Sequence, residues 1–145
     1  MAFQAFLLSL MILTTPTSEP SLKLTVKFEN VQYRDGQFLV GFYKDEESWS
    51  KRTPFREILV SKQDLKNGSL TFELGSMPPG KYGLAVLDDA NGNETVDFGL
   101  LFPKEGFGFS DYYHSSLRMP RFRDFVFDLN TDKVVTVKFR YLKGI

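Results

Sequence analysis

The chain has 145 residues, of which 42% are hydrophobic, and its 18 basic residues balance 18 acidic ones. This length and apolar fraction suit one globular domain with a sizeable core. The balanced charge provides no broad field to recruit nucleic acid or an anionic membrane. Cysteine is absent, which excludes disulfides, thiol catalysis and thiolate metal sites.

The start of the chain has the pattern of an export leader. Residues 5–13 form an apolar run, and residues 14–21 are small or turn-forming. The run is too short to span a bilayer, which needs about twenty residues, but it suits the central region of a secretory signal. Residues 1–4 carry no Lys or Arg, so only the terminal amine is positive. We predict a signal peptide and tether over 1–20 and export to the periplasm or the medium, without a membrane span once the leader is removed.

Beyond the leader, apolar residues recur at every second position, as in Leu22, Leu24, Val26 and Phe28, and this alternation is typical of half-buried strands. The pattern predicts strands at 22–28, 37–43, 55–60, 69–74, 81–87, 122–129 and 135–141. Gly, Pro and Asx turns separate them, and no amphipathic helix interrupts them. We therefore predict one all-β domain over 21–145, an antiparallel β-sandwich of about seven strands.

Two connections carry further expectations. Asp35 and Gly36 form an Asp-Gly turn, which predicts a hairpin between the first two strands. Residues 44–54 are polar and irregular, with room for one helical turn, and they contain Trp49, the sole tryptophan. We expect Trp49 to close one end of the core, the alternative being an aromatic platform for a sugar or a peptide.

The segment after the fifth strand is rich in oxygen-bearing side chains. Asp89, Asn91, Asn93 and Asp97 stand at relative positions 1, 3, 5 and 9, and Thr95 at position 7 would offer its backbone carbonyl. A loop that wraps a hard cation delivers alternate residues in this way, and calcium takes about six to eight oxygen ligands. The spacing predicts a calcium site formed by these five residues. The alternative is a long turn in which the Asx side chains cap backbone N–H groups without an ion.

The spacing departs from a helix-loop-helix calcium site at two positions. Glu94 stands at the sixth position, where Gly is usual, and Leu100 stands at the twelfth, where a bidentate Glu is usual. The loop therefore lacks a closing ligand, which Asp88, Glu105 or Asp111 would have to supply from outside the repeat. With two carboxylates inside the pattern, we expect weak affinity, with a Kd of about 10⁻⁴ to 10⁻³ M.

An aromatic cluster follows this loop, formed by Phe107, Phe109, Tyr112 and Tyr113. Such rings bind sugar faces and peptide side chains, so the four residues are candidates for a ligand-facing surface. The alternative is a hydrophobic lid over one end of the core, since large rings are mostly buried. A rigid sandwich that displays a structured loop and an aromatic segment favours a binding module whose partner is a glycan, a peptide or a protein.

Catalysis has little support in the residue types. His114 is the sole histidine, and a Ser-His-Asp arrangement would need Asp111 and one nearby serine within the same loop, where neighbours rarely aim at one another. The available serines are Ser110, Ser115 and Ser116. A carboxylate pair of Glu105 and Asp111 would suit a hydrolase if suitably spaced. We predict a protein that is not an enzyme, with a purely structural domain and a carboxylate-dependent hydrolase as alternatives.

Several motifs together resemble a known family. They are Met-Pro-Pro-Gly at 77–80, Tyr82, the acidic loop at 89–97, Pro-Lys-Glu-Gly-Phe-Gly-Phe-Ser at 103–110 and Pro-Arg-Phe at 120–122. Over residues 22–142 the chain resembles a bacterial family of small exported proteins catalogued as a domain of unknown function. The resemblance implies an immunoglobulin-like or transthyretin-like β-sandwich and export, but no established reaction.

Two positions differ from the pattern of that family. Asp88 stands where members often carry His, and Glu94 stands where they often carry Gly. The first difference adds a carboxylate beside the predicted ion, and the second changes the backbone preference of the loop. The resemblance therefore concerns the fold, export and the position of the loop more than it concerns an activity.

Overall fold

The structure is a computed structural model, and it describes residues 13–93 and 105–142. The described residues form eight strands and two short helices. In chain order these are β1 (Leu22–Glu29), β2 (Gln37–Tyr43), α1 (Glu46–Ser50), β3 (Arg56–Ser61), β4 (Leu70–Met77), β5 (Gly80–Asp89), β6 (Phe107–Phe109), α2 (Phe122–Phe125), β7 (Val126–Leu129) and β8 (Lys133–Lys138). The predicted all-β sandwich is confirmed. The strand predicted over 122–129 begins instead as the helical turn α2, because its aromatic residues pack against the sheet from outside.

The strands form two sheets. One has three strands in the order β4-β1-β8, and the other has five, with the order β3-β2-β5-β6 and β7 also paired to β5. Strand β5 serves two partners, since its first half pairs with β7 and its second half with β6. Strands β1 and β8 are parallel, whereas the other pairs are antiparallel.

The predicted hairpin between the first two strands is wrong. Strand β1 pairs with β4 and β8, while β2 pairs with β3 and β5, so the Asp35-Gly36 turn carries the chain from one sheet to the other. Local alternation shows which face of a strand is apolar but not which strand lies beside it. Gly36 has φ of 79°, and a Cβ there would lie 2.0 Å from the backbone oxygen of Asp89. The crossover therefore passes directly against the end of β5.

The main core fills the space between the two sheets. Phe28 of β1 and Phe38 of β2 meet with ring centroids 4.4 Å apart, and Phe139 stacks on Phe38 at 5.1 Å. Aliphatic residues at the inward positions of both sheets surround these rings. Burial of such alternating faces is the main force that holds the sheets together.

A second core covers the outer face of the five-stranded sheet. Trp49 of α1 lies there against Phe109 and Phe125, and its indole N–H donates to the backbone oxygen of Pro120 over 2.7 Å. Trp49 is almost fully buried, but it lies in this second core and not at one end of the main core, so the predicted position is wrong. Gly83 of β5 leaves the space that the ring of Phe125 occupies. The two helices therefore act as a cover for this sheet.

No helix within 13–93 and 105–142 has both the length and the apolar character needed to cross a bilayer. Residues 13–20, which belong to the predicted tether, carry no regular secondary structure and are exposed. Residues 1–12 of the predicted leader lie outside the described part of the chain.

Candidate functional site

Strand β5 ends in two buried aspartates, Asp88 and Asp89, neither of which is exposed. Successive residues of a strand point to opposite faces. Asp88 follows the inward series of Leu84 and Val86 and so points between the sheets, whereas Asp89 points to the outer face. A charged residue on each face gives this end of β5 two different polar environments.

The inward aspartate, Asp88, belongs to a buried polar network. One of its oxygens accepts from Nζ of Lys62, and the other accepts from the hydroxyl of Tyr141 at 2.5 Å. The Lys62 amine also donates to the backbone oxygens of Tyr33 at 3.0 Å and Asp35 at 2.7 Å. The network therefore ties β5, the end of β3, the β1–β2 crossover and the chain beyond β8 to one another.

Burial sets the acid–base behaviour of this network. It raises the pKa of the Asp88 carboxyl, and the hydrogen bonds from Lys62 and Tyr141 act in the opposite direction. Burial and the hydrogen bond to Asp88 also raise the pKa of Tyr141. The phenol therefore keeps its hydrogen and remains a donor to Asp88.

The outward aspartate, Asp89, begins a capped turn. Its Oδ2 accepts from the side-chain amide of Gln37 at 3.1 Å, and its Oδ1 accepts from the backbone N–H of Asn93 at 3.2 Å. The side-chain oxygen of Asn91 accepts from the same N–H at 3.1 Å. The oxygens of Asp89 and Asn91 thus converge on one point of the turn. This is the bonding of the capped-turn alternative, and it uses the oxygens that the spacing predicts as calcium ligands.

Glu105 returns to the same turn. Its carboxyl lies near the backbone N–H of Asn91, and a hydrogen bond from that group would lower the pKa of Glu105. Burial, together with the nearby carboxylates of Asp89 and Asp88, raises the pKa of Glu105, while that hydrogen bond and the charge of Lys62 act to lower it. Three carboxyl groups and one amine therefore interact at this end of the sandwich.

Residues 26–138 match the model of a family described as "Uncharacterized protein conserved in bacteria (DUF2141)". The chain belongs to this family. The matched region runs from within β1 to the end of β8, and it contains Lys62, Asp88, Asp89 and Glu105, while Tyr141 lies just beyond it. No curated protein and no solved structure matches the chain.

In this DUF2141 member, Asp111 lies away from the Asp89 turn. Its carboxylate accepts from the backbone N–H of Thr136 at 2.8 Å, so it bonds to the middle of β8. The preceding Ser110 bonds through its backbone N–H to the oxygen of Leu84. At a rise of about 3.3 Å per residue, that position is about 16 Å along β5 from Asp89. Asp111 is thus not brought to the turn as the extra ligand that the sequence had suggested.

Thr95 and Asp97, which complete the predicted calcium set, lie outside the described residues. Within 13–93 and 105–142, no group of three or more His, Asp or Glu side chains is arranged to hold a metal ion. Asp88, Asp89 and Glu105 therefore do not share one ion position. An ion at this turn would be held by one or two carboxylates together with amide and carbonyl oxygens, which are ligands that calcium accepts.

The aromatic segment divides into buried and exposed parts. Phe107 and Phe109 are only 4% and 2% exposed, so the prediction of a ligand-facing surface is wrong for these two residues, which contribute to the second core. Tyr112 is partly buried and packs against that core. Tyr113 is 49% exposed, and the amine of Lys138 lies 5.4 Å from the centre of its ring. Of the four residues, Tyr113 has the most exposed side chain.

Ser110 and His114 serve separate structural contacts. The Ser110 hydroxyl donates to the backbone oxygen of Phe125 at 2.7 Å. His114 is buried, with Nε2 against the backbone oxygen of Arg118 and Nδ1 at 3.3 Å from the hydroxyl of Tyr112. These two residues therefore do not form the serine–histidine pair that a catalytic triad requires.

Sequence reasoning missed Lys62 and Tyr141, although a signal for Lys62 exists. Lys62 continues the inward series of Ile58 and Val60, and Asp88 continues the inward series of β5. A lysine and an aspartate at inward positions are unusual, since such groups are buried only when they are paired. Because Lys62 and Asp88 both fall at inward positions of the alternating pattern, the sequence could have indicated that these two residues meet.

Proposed function

We propose that this protein is an exported binding module in which calcium orders the turn that starts at Asp89. One observation carries the calcium part of the proposal: the carboxyl of Glu105 lies near enough to the backbone N–H of Asn91 for that group to lower its pKa. This contact brings a carboxyl from the far side of residues 94–104 to the turn whose spacing lacks a closing ligand. Sequence spacing had named Glu105 as one of the residues that would supply it.

The electrostatics of the turn favour a cation. Burial raises the pKa of Glu105, and the nearby carboxylates of Asp89 and Asp88 raise it further, so its negative charge is disfavoured at this turn. A divalent ion near Asp89 and Glu105 would relieve that repulsion. The donors are carboxylate, amide and backbone oxygens without histidine or thiolate, and such a set suits calcium better than zinc or copper. Thr95 and Asp97 complete the proposed set from outside the described residues.

The scaffold supports a binding role. Two packed sheets and a covering layer of helices hold the connecting segments, and recognition usually lies on such segments. The exposed ring of Tyr113 supplies one contact surface apart from the calcium turn. The proposed partner is a glycan, a peptide or a protein, and the proposed location is the periplasm or the medium. The separate contacts of Ser110 and His114 lend no support to an acyl-transfer enzyme.

Thermal unfolding in calcium and in chelator tests the proposal. Calcium at ten times its Kd should add about 1.4 kcal/mol to the free energy of unfolding and raise the Tm. Asp89→Asn keeps the size of the side chain and removes its charge, so it should lose most of this shift, and Glu105→Gln should weaken it. Asp128→Asn, at an exposed carboxylate on β7, is the matched control and should keep the shift.

Two outcomes would count against the calcium site. An identical Tm in calcium and in chelator would support the alternative, a purely structural domain whose turn at Asp89 is capped without an ion. If calcium still raises the Tm of Asp89→Asn, the ion binds at another position. Export is tested separately by cell fractionation and by determining the N-terminal residue of the recovered protein, which should lie after residue 17 or 18.

A further inference from the structure

We propose that the side chains of Lys62 and Asp88 condense into an intramolecular amide, a covalent cross-link between β5 and the residue that follows β3. The amine and the carboxyl are in direct contact, and their side chains are 1% and 0% exposed. The calcium turn uses the outward aspartate as a ligand rather than the inward one, so the two proposals are tested by different experiments. It would join two positions that are separated by 26 residues in the chain.

The sheet holds the two reacting groups in place. Strand β2 lies between β3 and β5, and Phe38 of β2 pairs with Val60 on one side and with Asp88 on the other. The Lys62 amine lies 5.1 Å from the centre of the Phe38 ring. Groups fixed in contact by a rigid scaffold react as if at very high concentration, with effective molarities of about 10⁵ to 10⁸ M. This advantage opposes the unfavourable equilibrium of amide formation in water.

Exclusion of water also favours the reaction. In bulk water a lysine and an aspartate are both ionised, and the charged forms do not condense. In a buried site the charged forms lose their hydration, so the uncharged amide is favoured over the ion pair.

The groups around Lys62 and Asp88 suit the condensation of the amine with the carboxyl. The Nζ lone pair attacks Cγ of Asp88, so an N–C bond forms, and the Cγ–Oδ1 bond breaks. Oδ1 takes one proton from the Lys62 ammonium group, which frees that lone pair, and a second hydrogen from the amine; it leaves as water, so no oxidant or other reactant is needed. Tyr141 donates to Oδ2, which becomes the amide oxygen, and it stabilises the negative charge that develops there. The backbone oxygens of Tyr33 and Asp35 orient the amine, and one of them accepts the remaining N–H.

Peptide mapping of the wild-type full chain distinguishes the cross-link from a persistent ion pair. The protein is unfolded in denaturant, digested with trypsin and analysed by mass spectrometry. Trypsin does not cleave after an acylated lysine, so the cross-link should give a branched peptide that joins residues 57–66 to residues 82–104. Its mass should be lower by one water than the sum of its two parts.

The chain contains an internal control. Lys81 and Asp128 are also in contact, at 2.7 Å, but their side chains are 70% and 63% exposed. This solvated pair should remain unlinked, with normal cleavage after Lys81. Lys62→Met should abolish the branched peptide, and Tyr141→Phe should reduce the linked fraction while keeping the ring.

The wild-type digest decides the proposal even if a variant fails to fold. Complete cleavage after Lys62 and recovery of the separate peptides 57–62, 63–66 and 82–104 at full mass would overturn it. Loss of water from residues 82–104 without branching would also overturn it, since that product is a cyclised aspartate rather than a cross-link.

Discussion

The hydroxyl of Tyr141 donates to Oδ2 of Asp88 over 2.5 Å, and this bond connects the chain beyond β8 to β5 in the opposite sheet. The same hydroxyl accepts from the backbone N–H of Gln32 at 3.0 Å. One phenol therefore links the two sheets and the β1–β2 crossover. Its removal should weaken the end of the sandwich where Asp88 and Asp89 lie.

Tyr141→Phe should lower the free energy of unfolding by about 1 to 3 kcal/mol, because it leaves a buried carboxyl oxygen without its donor. Urea unfolding measures this change. Tyr113→Phe is the control, since its ring is half exposed, and it should have an effect within about 0.5 kcal/mol. Equal effects of the two substitutions would contradict a special role for the Tyr141 hydroxyl.

Lys62→Met should destabilise the protein by about 3 to 5 kcal/mol, because it leaves Asp88 buried without its partner. The direction is the same whether Lys62 is paired with Asp88 or linked to it covalently. Lys81→Met removes the exposed partner of Asp128 and should cost at most about 1 kcal/mol. Urea unfolding of both variants provides the comparison, and a small loss in Lys62→Met would show that the buried network contributes little to stability.

Gly36→Ala should destabilise the protein strongly, because the new Cβ would lie 2.0 Å from the oxygen of Asp89 and 2.7 Å from Cα of Ala90. Gly92 is the matched control. It also has positive φ, at 69°, but a Cβ there meets nothing within 4 Å. Gly92→Ala should therefore cost only the conformational strain, about 1 to 2 kcal/mol. Thermal unfolding measures both variants, and similar losses would show that the crossover can move away from β5.

Glu105→Gln should change how stability depends on pH. The folded pKa of Glu105 is raised above the ordinary value of 4.5, so the folded state binds more protons than the unfolded state above that pH. The resulting stabilisation is fully present below pH 4.5 and is lost as the pH rises through the folded pKa. In chelator, the stability of the wild type relative to Glu105→Gln should therefore fall as the pH rises through this window.

Glu73→Gln on β4 is the control for the pH experiment, since the Glu73 side chain is 56% exposed. Any change common to both variants reports the loss of a surface charge. A wild-type stability that rises relative to Glu105→Gln over the same window would show that the Glu105 pKa is lowered. That result would contradict the crowding of carboxylates at the Asp89 turn.

The sequence predicted which neighbouring residues form the turn at Asp89. It did not predict which distant residues lie beside that turn in the folded protein. The spacing of Asp89, Asn91 and Asn93 indicated a turn with converging oxygens, and Glu105 was among the residues expected beside it. Asp111 was expected there too, but the antiparallel pairing of β6 carries it back along β5 to Thr136. A single sequence contains no measure of the distance between residues on different strands.

The alternation of apolar and polar residues determined by itself that this is an all-β protein, where most of its strands lie and which side chains face inward. The spacing of Asp89, Asn91 and Asn93 also indicated a turn with side-chain oxygens, because caps and turns depend on neighbouring residues. Only the tertiary structure decided that β1 and β2 belong to different sheets and that Lys62, Asp88 and Tyr141 meet. These contacts join residues far apart in the chain, and their partners are selected by the packing of two sheets rather than by any local preference.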